Sequence, residues 1–287
     1  MMLQHLPPAV APGSTRSSSM ASSLLVVLPT LGERIDSLEE ALASVSATAE
    51  VVSLRLIVVL PVIAPEARLL AAKHGAEIID DPRQGLAGAM NAGIAVRAGE
   101  KYYVGLGDDD LLRPSGMRAL LNRAEERQGV VVAYGACDYI DAKSHVIGTN
   151  RSGKLATLIL SWGPNLIPHP GALVDLDALQ GIGGFALNRP YTMDLDAFLQ
   201  LKKVGEFVFV PVAVSAFRWH ADSLTVADRR KSAAEALDVK RSYLPAAFRS
   251  LSVAWLGPIS WATRVAGNVV SYRARKISAA SATGTGT

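Results

Sequence analysis

Apolar residues arrive along this chain in short runs separated by stretches of helical spacing. Leu24–Leu28 reads LLVVL, a compact run suited to a buried strand. Ile35, Leu38, Leu42 and Val45 then recur every three or four residues, the stripe of a helix over Ile35–Val45. Leu54–Leu60 (LRLIVVL) predicts a second strand, and Glu77–Ile79 a third. Between them lies a second helix, Ala64–His74, stopped by Gly75. Leu86–Val96, rich in small residues, predicts a third, closely packing helix, and Lys101–Leu106 a fourth strand. Further on, helices are expected over Ser115–Gln128, from Leu176–Leu179 up to Gly181, over Asp194–Val204 and over Val226–Tyr243. Strands are expected at Val130–Tyr134, Ala172–Val174, Phe207–Val210 and Val212–Trp219, the last two joined at Pro211. Asn150–Pro170 has no clear period and reads as loop. Strands alternating with helices predict an α/β fold with right-handed βαβ units and a mostly parallel sheet. In such sheets ligands collect where the strands end, which singles out the loops Pro29–Arg34, Asp80–Gly85 and Asp108–Asp110.

Length and composition narrow this. The 287 residues suit one large domain plus an appendage, and 49% apolar residues supply a sizeable core. Residues 1–22, rich in Pro, Ser, Ala and Gly, read as a disordered leader; no charged segment followed by a long apolar core marks a secretory signal. With one cysteine, Cys137, an intramolecular disulfide and a cysteine-rich metal site are both excluded, and a cytoplasmic setting is expected. The net charge of +3 is uneven. From Val239 onward there are seven basic residues and no acidic one, leaving 22 basic against 26 acidic residues in the first 238. A basic tail on a mildly acidic body points to an anionic partner such as a membrane surface, and no nucleic-acid motif accompanies it. Residues 258–276 are amphipathic, with Trp261, Val265, Val269 and Val270 on one face and Arg264, Asn268 and Arg275 on the other. Arg264 interrupts the apolar run, so a transmembrane span is not expected; the alternatives are a helix docked on its own domain or one lying on a membrane. Residues 279–287 read as a disordered tail.

The chemistry concentrates in Lys101–Leu112, KYYVGLGDDDLL, where Asp108, Asp109 and Asp110 follow a buried strand. Adjacent carboxylates repel unless a cation sits among them, and hard ions such as Mg²⁺ or Mn²⁺ share such oxygens with substrate phosphates. The competing reading is a solvated turn that caps the next helix. Neither a GxGxxG nor a Walker A pattern is present.

Four features occur in order: PTLGER at 29–34, QGLAGAMNAGIAVRAGEKYYVGLGDDD at 84–110, GGFALNRPYTMDLDAFLQL at 183–201 and FRWHADSL at 217–224. Together they resemble the family 2 glycosyltransferases of the GT-A fold over roughly 23–225, with Gly85–Asp110 the most specific match and Gly183-Gly184-Phe185 the next. The resemblance implies a catalytic domain at 23–225 and a helical extension at 226–278. It implies an inverting, metal-dependent enzyme of the hexosyltransferase type that moves a sugar from a UDP- or dTDP-sugar to a hydroxyl of a glycan or lipid-linked acceptor. The basic carboxyl-terminal helix adds a further expectation, an enzyme at the cytoplasmic face of the plasma membrane acting on a lipid-linked or envelope acceptor in polysaccharide biosynthesis.

The resemblance also assigns residues. Pro29, Thr30, Glu33, Asp81, Gly85, Asn91, Asp108, Asp109 and Arg218 fall on the nucleotide-donor side. Asp110, Asp109 and His220 fall on the metal side, with Mg²⁺ or Mn²⁺ as cofactor and Asp110 as the favoured direct ligand. Asp194 falls on the family's general base. Asp196, about 200° further round the helix, cannot share its direction. Apart from the resemblance, His169 before Pro170-Gly171 is expected on the acceptor side, and Trp219 either stacks on a sugar there or belongs to the core. Two departures stand out: Leu60-Pro61 occupies the place of an acidic pair after the second strand, and Met193 that of an acidic residue before the base. Two rival classes remain open here. One is a sugar nucleotidyltransferase, which normally carries more glycine after strand one than PTLGER has; the other is a degenerate nucleotide- or partner-binding domain.

Overall fold

The computed structural model describes residues 23–219 and 229–249, with 252, 254–255 and 257–258. The expected leader, tail, His220 and nearly all of the amphipathic stretch 258–276 lie outside the described residues. In chain order the elements are β1 (Leu24–Pro29), α1 (Ile35–Ala49), β2 (Leu54–Leu60), α2 (Pro65–Lys73), β3 (Glu77–Asp80), α3 (Gly85–Ala95), β4 (Tyr102–Gly105) and β5 (Leu111–Leu112). There follow α4 (Pro114–Glu125), β6 (Val130–Ile140), β7 (Val146–Asn150), α5 (Leu155–Ile159), β8 (Leu173–Asp175) and α6 (Leu176–Gly181). The last are α7 (Met193–Leu201), β9 (Glu206–Arg218), α8 (Arg229–Tyr243) and α9 (Ala246–Arg249).

One mixed sheet runs β3-β2-β1-β4-β8-β6-β9-β5, with β7 added on β6. Pairing is parallel through β3, β2, β1 and β4. It reverses at β8, which is antiparallel to both β4 and β6. Two reversals restore the direction, so β6 and its parallel partner β9 point the same way as β4. The carboxyl ends of six strands therefore open toward one edge.

The sheet is a buried middle layer. In β1, Leu24, Val26 and Leu28 face a core built with α1, α2 and α4, while Leu25 and Val27 face one built with α3, α6 and α7. An all-apolar run is what a strand covered on both faces requires. Gly93 of α3 rests against Val27, and a Cβ there would collide with the valine methyls. This is the physical use of the small residues in that helix.

Three elements differ from expectation. Pro211 does not end a strand: β9 runs through it, because Pro211 and Val212 bulge out between the Val210 and Ala213 pairings to β6. β6 extends well past its apolar run, to Ile140, because it pairs with both β7 and β9. And 150–170 is not all loop, since it contains α5, held by the buried Ala156 and Ile159.

Candidate active site

The acidic turn follows β4 directly, with Asp108, Asp109 and Asp110 all buried. Three elements hold it. From the β1 loop, the Thr30 hydroxyl donates to Asp108 Oδ2 at 2.6 Å while accepting the Gly32 N–H at 2.9 Å. That tight loop needs glycine: Gly32 has φ +78°, and a Cβ would lie 2.8 Å from that of Ala64. From the start of α1, Arg34 spans two carboxylates, Nη2 donating to Asp108 and Nη1 to Asp109 at 2.8 Å. From the end of β9, the Arg218 N–H donates to Asp110 Oδ1 at 3.0 Å and its Nε to the Asp109 carbonyl at 2.9 Å.

The electrostatics follow. Burial pushes Asp110 up to about 8, aided by the charges of Asp109 and Asp108. Burial also raises Asp108, against the hydrogen bond of Thr30 and the charge of Arg34. Burial works against the Arg34 guanidinium as well, but Asp108 and Asp109 outweigh it and hold its pKa above the ordinary value. Flanked by Arg34 and Arg218, the turn offers only hard oxygen donors.

A divalent cation fits that donor set in one specific sense. Among the described residues no three acidic, histidine or cysteine side chains form a ready ion cage. Mg²⁺ and Mn²⁺ sites on phosphate substrates commonly take one or two carboxylates, the rest coming from phosphate and water. Asp110 and Asp109 could supply those, and neutralising them would relieve the strain on Asp110.

The second pole lies against the same strand end. Pro170 bridges to Gly105, and a Cβ on Gly105 would come within 2.7 Å of His169 Cε1. The His169 ring packs edge-on to Phe185 at 5.6 Å, and its Nε2 is buried with no hydrogen-bond partner among the described residues. Asp194, in the first turn of α7, accepts the Asn165 amide on Oδ2 at 3.0 Å. Burial holds the Asp194 carboxyl above the carboxylate range, against the charge of His169 and several hydrogen bonds, Asn165's included. Burial holds His169 below its ordinary value, against the charge of Asp194. Asp196 turns away, accepting Tyr243 Oη and Gln200 Nε2, each at 2.9 Å.

Several other expected site residues make contacts within the protein. Asn91 was expected on the donor side, but its amide brackets Phe185, donating to the carbonyl at 2.8 Å and accepting the N–H at 2.9 Å. Gly184 explains itself by the same contact: its φ is +76°, and a Cβ would stand 2.7 Å from Asn91 Oδ1. Arg218 was expected to reach phosphate, but it is 4% exposed and all three guanidinium nitrogens meet protein acceptors, with Asp141 and Glu40 beyond the Asp109 carbonyl. Trp219 packs edge-on to Tyr139 at 5.5 Å and Phe217 at 6.2 Å. Asp81 accepts the Arg83 N–H within its own turn, at 2.9 Å. Pro29 closes β1, Gly85 opens α3 with φ +74°, and Glu33 is exposed beside Arg34.

Sequence reasoning missed Arg34, Asn165, Glu40 and Glu235. Arg34 stands in the PTLGER loop and was readable as a cation close to an acidic turn. Glu40 is an exposed-side residue of α1 whose role exists only once Arg218 arrives from 178 residues away. Glu235 on α8 accepts the Tyr191 N–H at 3.0 Å and the Thr192 hydroxyl at 2.7 Å, fixing the start of α7 from a distant helix.

Comparison with known proteins agrees with this arrangement. The family model for glycosyl transferase family 2 matches residues 25–179. No curated protein matches the chain by sequence. Among solved structures, S. aureus TarS 1-349 in complex with UDP-GlcNAc superposes with a TM-score of 0.60 at 11% identity, covering 81% of this chain and 70% of that one. The mannosyltransferase PcManGT from Pyrobaculum calidifontis, in complex with GDP-Man and Mn²⁺, gives 0.60 at 16% identity, covering 94% and 77%. At such identities these structures support the GT-A architecture alone, whereas the family model spans more than half of the chain, from β1 through the acidic turn to α6. The chain belongs to glycosyl transferase family 2.

Proposed function

We propose that this glycosyltransferase moves a sugar from a nucleoside-diphosphate sugar, a UDP- or dTDP-sugar, to an acceptor hydroxyl with inversion at the anomeric carbon. The observation that carries the reading is the placement of two unlike acidic sites at the end of β4. One is the buried triplet Asp108–Asp110; the other is Asp194, near His169, with one oxygen held by Asn165. The structural neighbours lend support through the UDP-GlcNAc and GDP-Man in their complexes.

The division of labour follows from charge. Asp110 and Asp109 would hold Mg²⁺ or Mn²⁺, with Thr30 and Arg218 fixing the turn that carries them. Bound there, the ion would act as a Lewis acid on the leaving diphosphate. The β1 loop with Glu33, and the turn at Asp81 before Gly85, line the strand ends where base and ribose would sit. On the other side Asp194 takes the proton of the acceptor hydroxyl as its oxygen attacks the anomeric carbon. The sugar's bond to the diphosphate breaks, and the nucleoside diphosphate leaves with the electron pair. One displacement gives inversion. A carboxyl held above its usual range is a stronger base once ionised. His169, packed against Gly105 and Phe185 with its Nε2 buried, would shape the acceptor side next to Asp194.

The acceptor is proposed to be a lipid-linked or envelope glycan at the inner face of the membrane. The basic residues Arg264, Arg273, Arg275 and Lys276 near the carboxyl end of the sequence support this, as do Leu155, Leu158 and Trp162, all exposed on α5 and the turn leading to Asn165; Lys240 is buried and takes no part. Among the described residues no helix is long and apolar enough to cross a membrane.

A second reading, a non-catalytic nucleotide-binding domain, is favoured by Leu60-Pro61 where an acidic pair is expected. Asp194→Asn separates the two. The variant should retain nucleotide-diphosphate binding and lose transfer by about 100- to 10,000-fold, the usual contribution of a general base. Transfer at the wild-type rate would remove Asp194 from the mechanism.

A further inference from the structure

Arg34 occupies ground that a divalent cation would need. Its planar fork lies across Asp108 and Asp109, one nitrogen on each carboxylate. The second oxygen of Asp108 is taken by Thr30, and Asp110 is pinned through its other neighbour, Arg218. A dication and a guanidinium cannot share those lone pairs, because like charges a few ångströms apart in a partly dry site repel strongly. One must give way. The Arg34 side chain is 43% exposed and sits at the N-terminal boundary of α1, outside the helix proper, so a rotation of the side chain moves it off the carboxylates. Its displaced fork would have an alternative partner in a diphosphate, whose oxygens match guanidinium geometry.

We propose that Arg34 is a resident counter-ion that makes cation binding conditional on the nucleotide. Without donor it offsets part of the charge of Asp108 and Asp109 and holds the metal out; when a nucleoside diphosphate enters, it re-pairs with phosphate and frees the carboxylates. The inference rests on the proposed function and adds an order of assembly to it. Its thermodynamic consequence is positive coupling between cation and nucleotide, equal in both directions.

The test measures Mn²⁺ binding directly, by calorimetry, with and without UDP. Arg34→Ala should bind Mn²⁺ alone about tenfold more tightly than wild type, and the tightening produced by UDP should shrink by a similar factor. Arg34→Lys, which keeps a point charge but not the fork, should fall between. Arg123→Ala on α4, an equal change in net charge at an exposed pair, should stay within about twofold of wild type. An ion pair that merely ordered the turn would act with the opposite sign, weakening Mn²⁺ when removed. Equal or weaker binding by the folded Arg34 variants overturns the proposal. If wild type and variants bind UDP but no Mn²⁺, the proposal falls together with the metal half of the proposed function. If all bind Mn²⁺ alike, it falls alone. Should Arg34→Ala not fold, Arg34→Lys carries the same readout.

Discussion

Two aspartates two residues apart, Asp194 and Asp196, meet opposite surroundings at the start of α7. Asp194 receives Asn165 and is coupled by charge to His169, whereas Asp196 is tied to Tyr243 and Gln200. Helical geometry made that divergence readable, since two residues turn the chain by about 200°. Which partner each would meet was not readable, because Asn165 and Tyr243 come from segments far away in sequence. Asn165 gives a pH prediction. Its amide favours the ionised carboxylate, and its loss should raise the pKa of Asp194 further. The acid limb of kcat/KM in Asn165→Ala should therefore move to higher pH, whatever happens to the maximal rate. A limb that stays in place would mean that another group sets it. The donor-side residues teach the converse. Asn91 and Arg218 match the family pattern by position, yet in this chain their side chains are consumed by Phe185 and by the acidic turn.

Elements recruited from distant sequence do most of the positioning. α3 carries Asn91, which brackets the Gly184-Phe185 turn and so sets the entry to α7. Asn91→Ala leaves the N–H and carbonyl of the buried Phe185 without partners and should cost about 1–3 kcal/mol in urea unfolding. A loss below about 0.5 kcal/mol, the range of an ordinary surface change, would show that water satisfies the turn. The strongly patterned elements, β1, α1, β2 and α3, were visible because each buries one face or two. β7, α5 and the distal half of β6 were not. Val146–Asn150 has one buried residue in five, and β6 beyond Tyr134 owes its extension to partners on both sides rather than to its own apolar run. Pro211 misled because a proline inside a strand is tolerated only at a bulge, and a bulge is a property of two strands.

On the scale of the whole molecule, the reversal at β8 decides where function sits. It lets β6 and β9 end beside β1 and β4, so that Arg218 reaches Asp110 from a strand ending 108 residues later. Alternating strands and helices announced an α/β sheet, but not this switch of direction, which depends on a three-residue strand. The charge asymmetry belongs to this scale too. Chains truncated after Gly257, which lose Arg264, Arg273, Arg275 and Lys276, should partition less onto anionic liposomes than the full chain, and salt should shrink the difference. Equal partitioning would remove the membrane from the proposal.

The central claim, a donor site in which the acidic turn and a divalent cation together grip a nucleoside diphosphate, is tested most directly by thermal-shift titration. UDP, dTDP, GDP and ADP would each be titrated with and without Mn²⁺. A ligand that binds only the folded chain raises its midpoint with concentration. The account predicts that UDP or dTDP raises the midpoint, that Mn²⁺ enlarges that rise, and that the enlargement disappears in Asp110→Asn. A midpoint unmoved by every diphosphate in the presence of Mn²⁺ would contradict it.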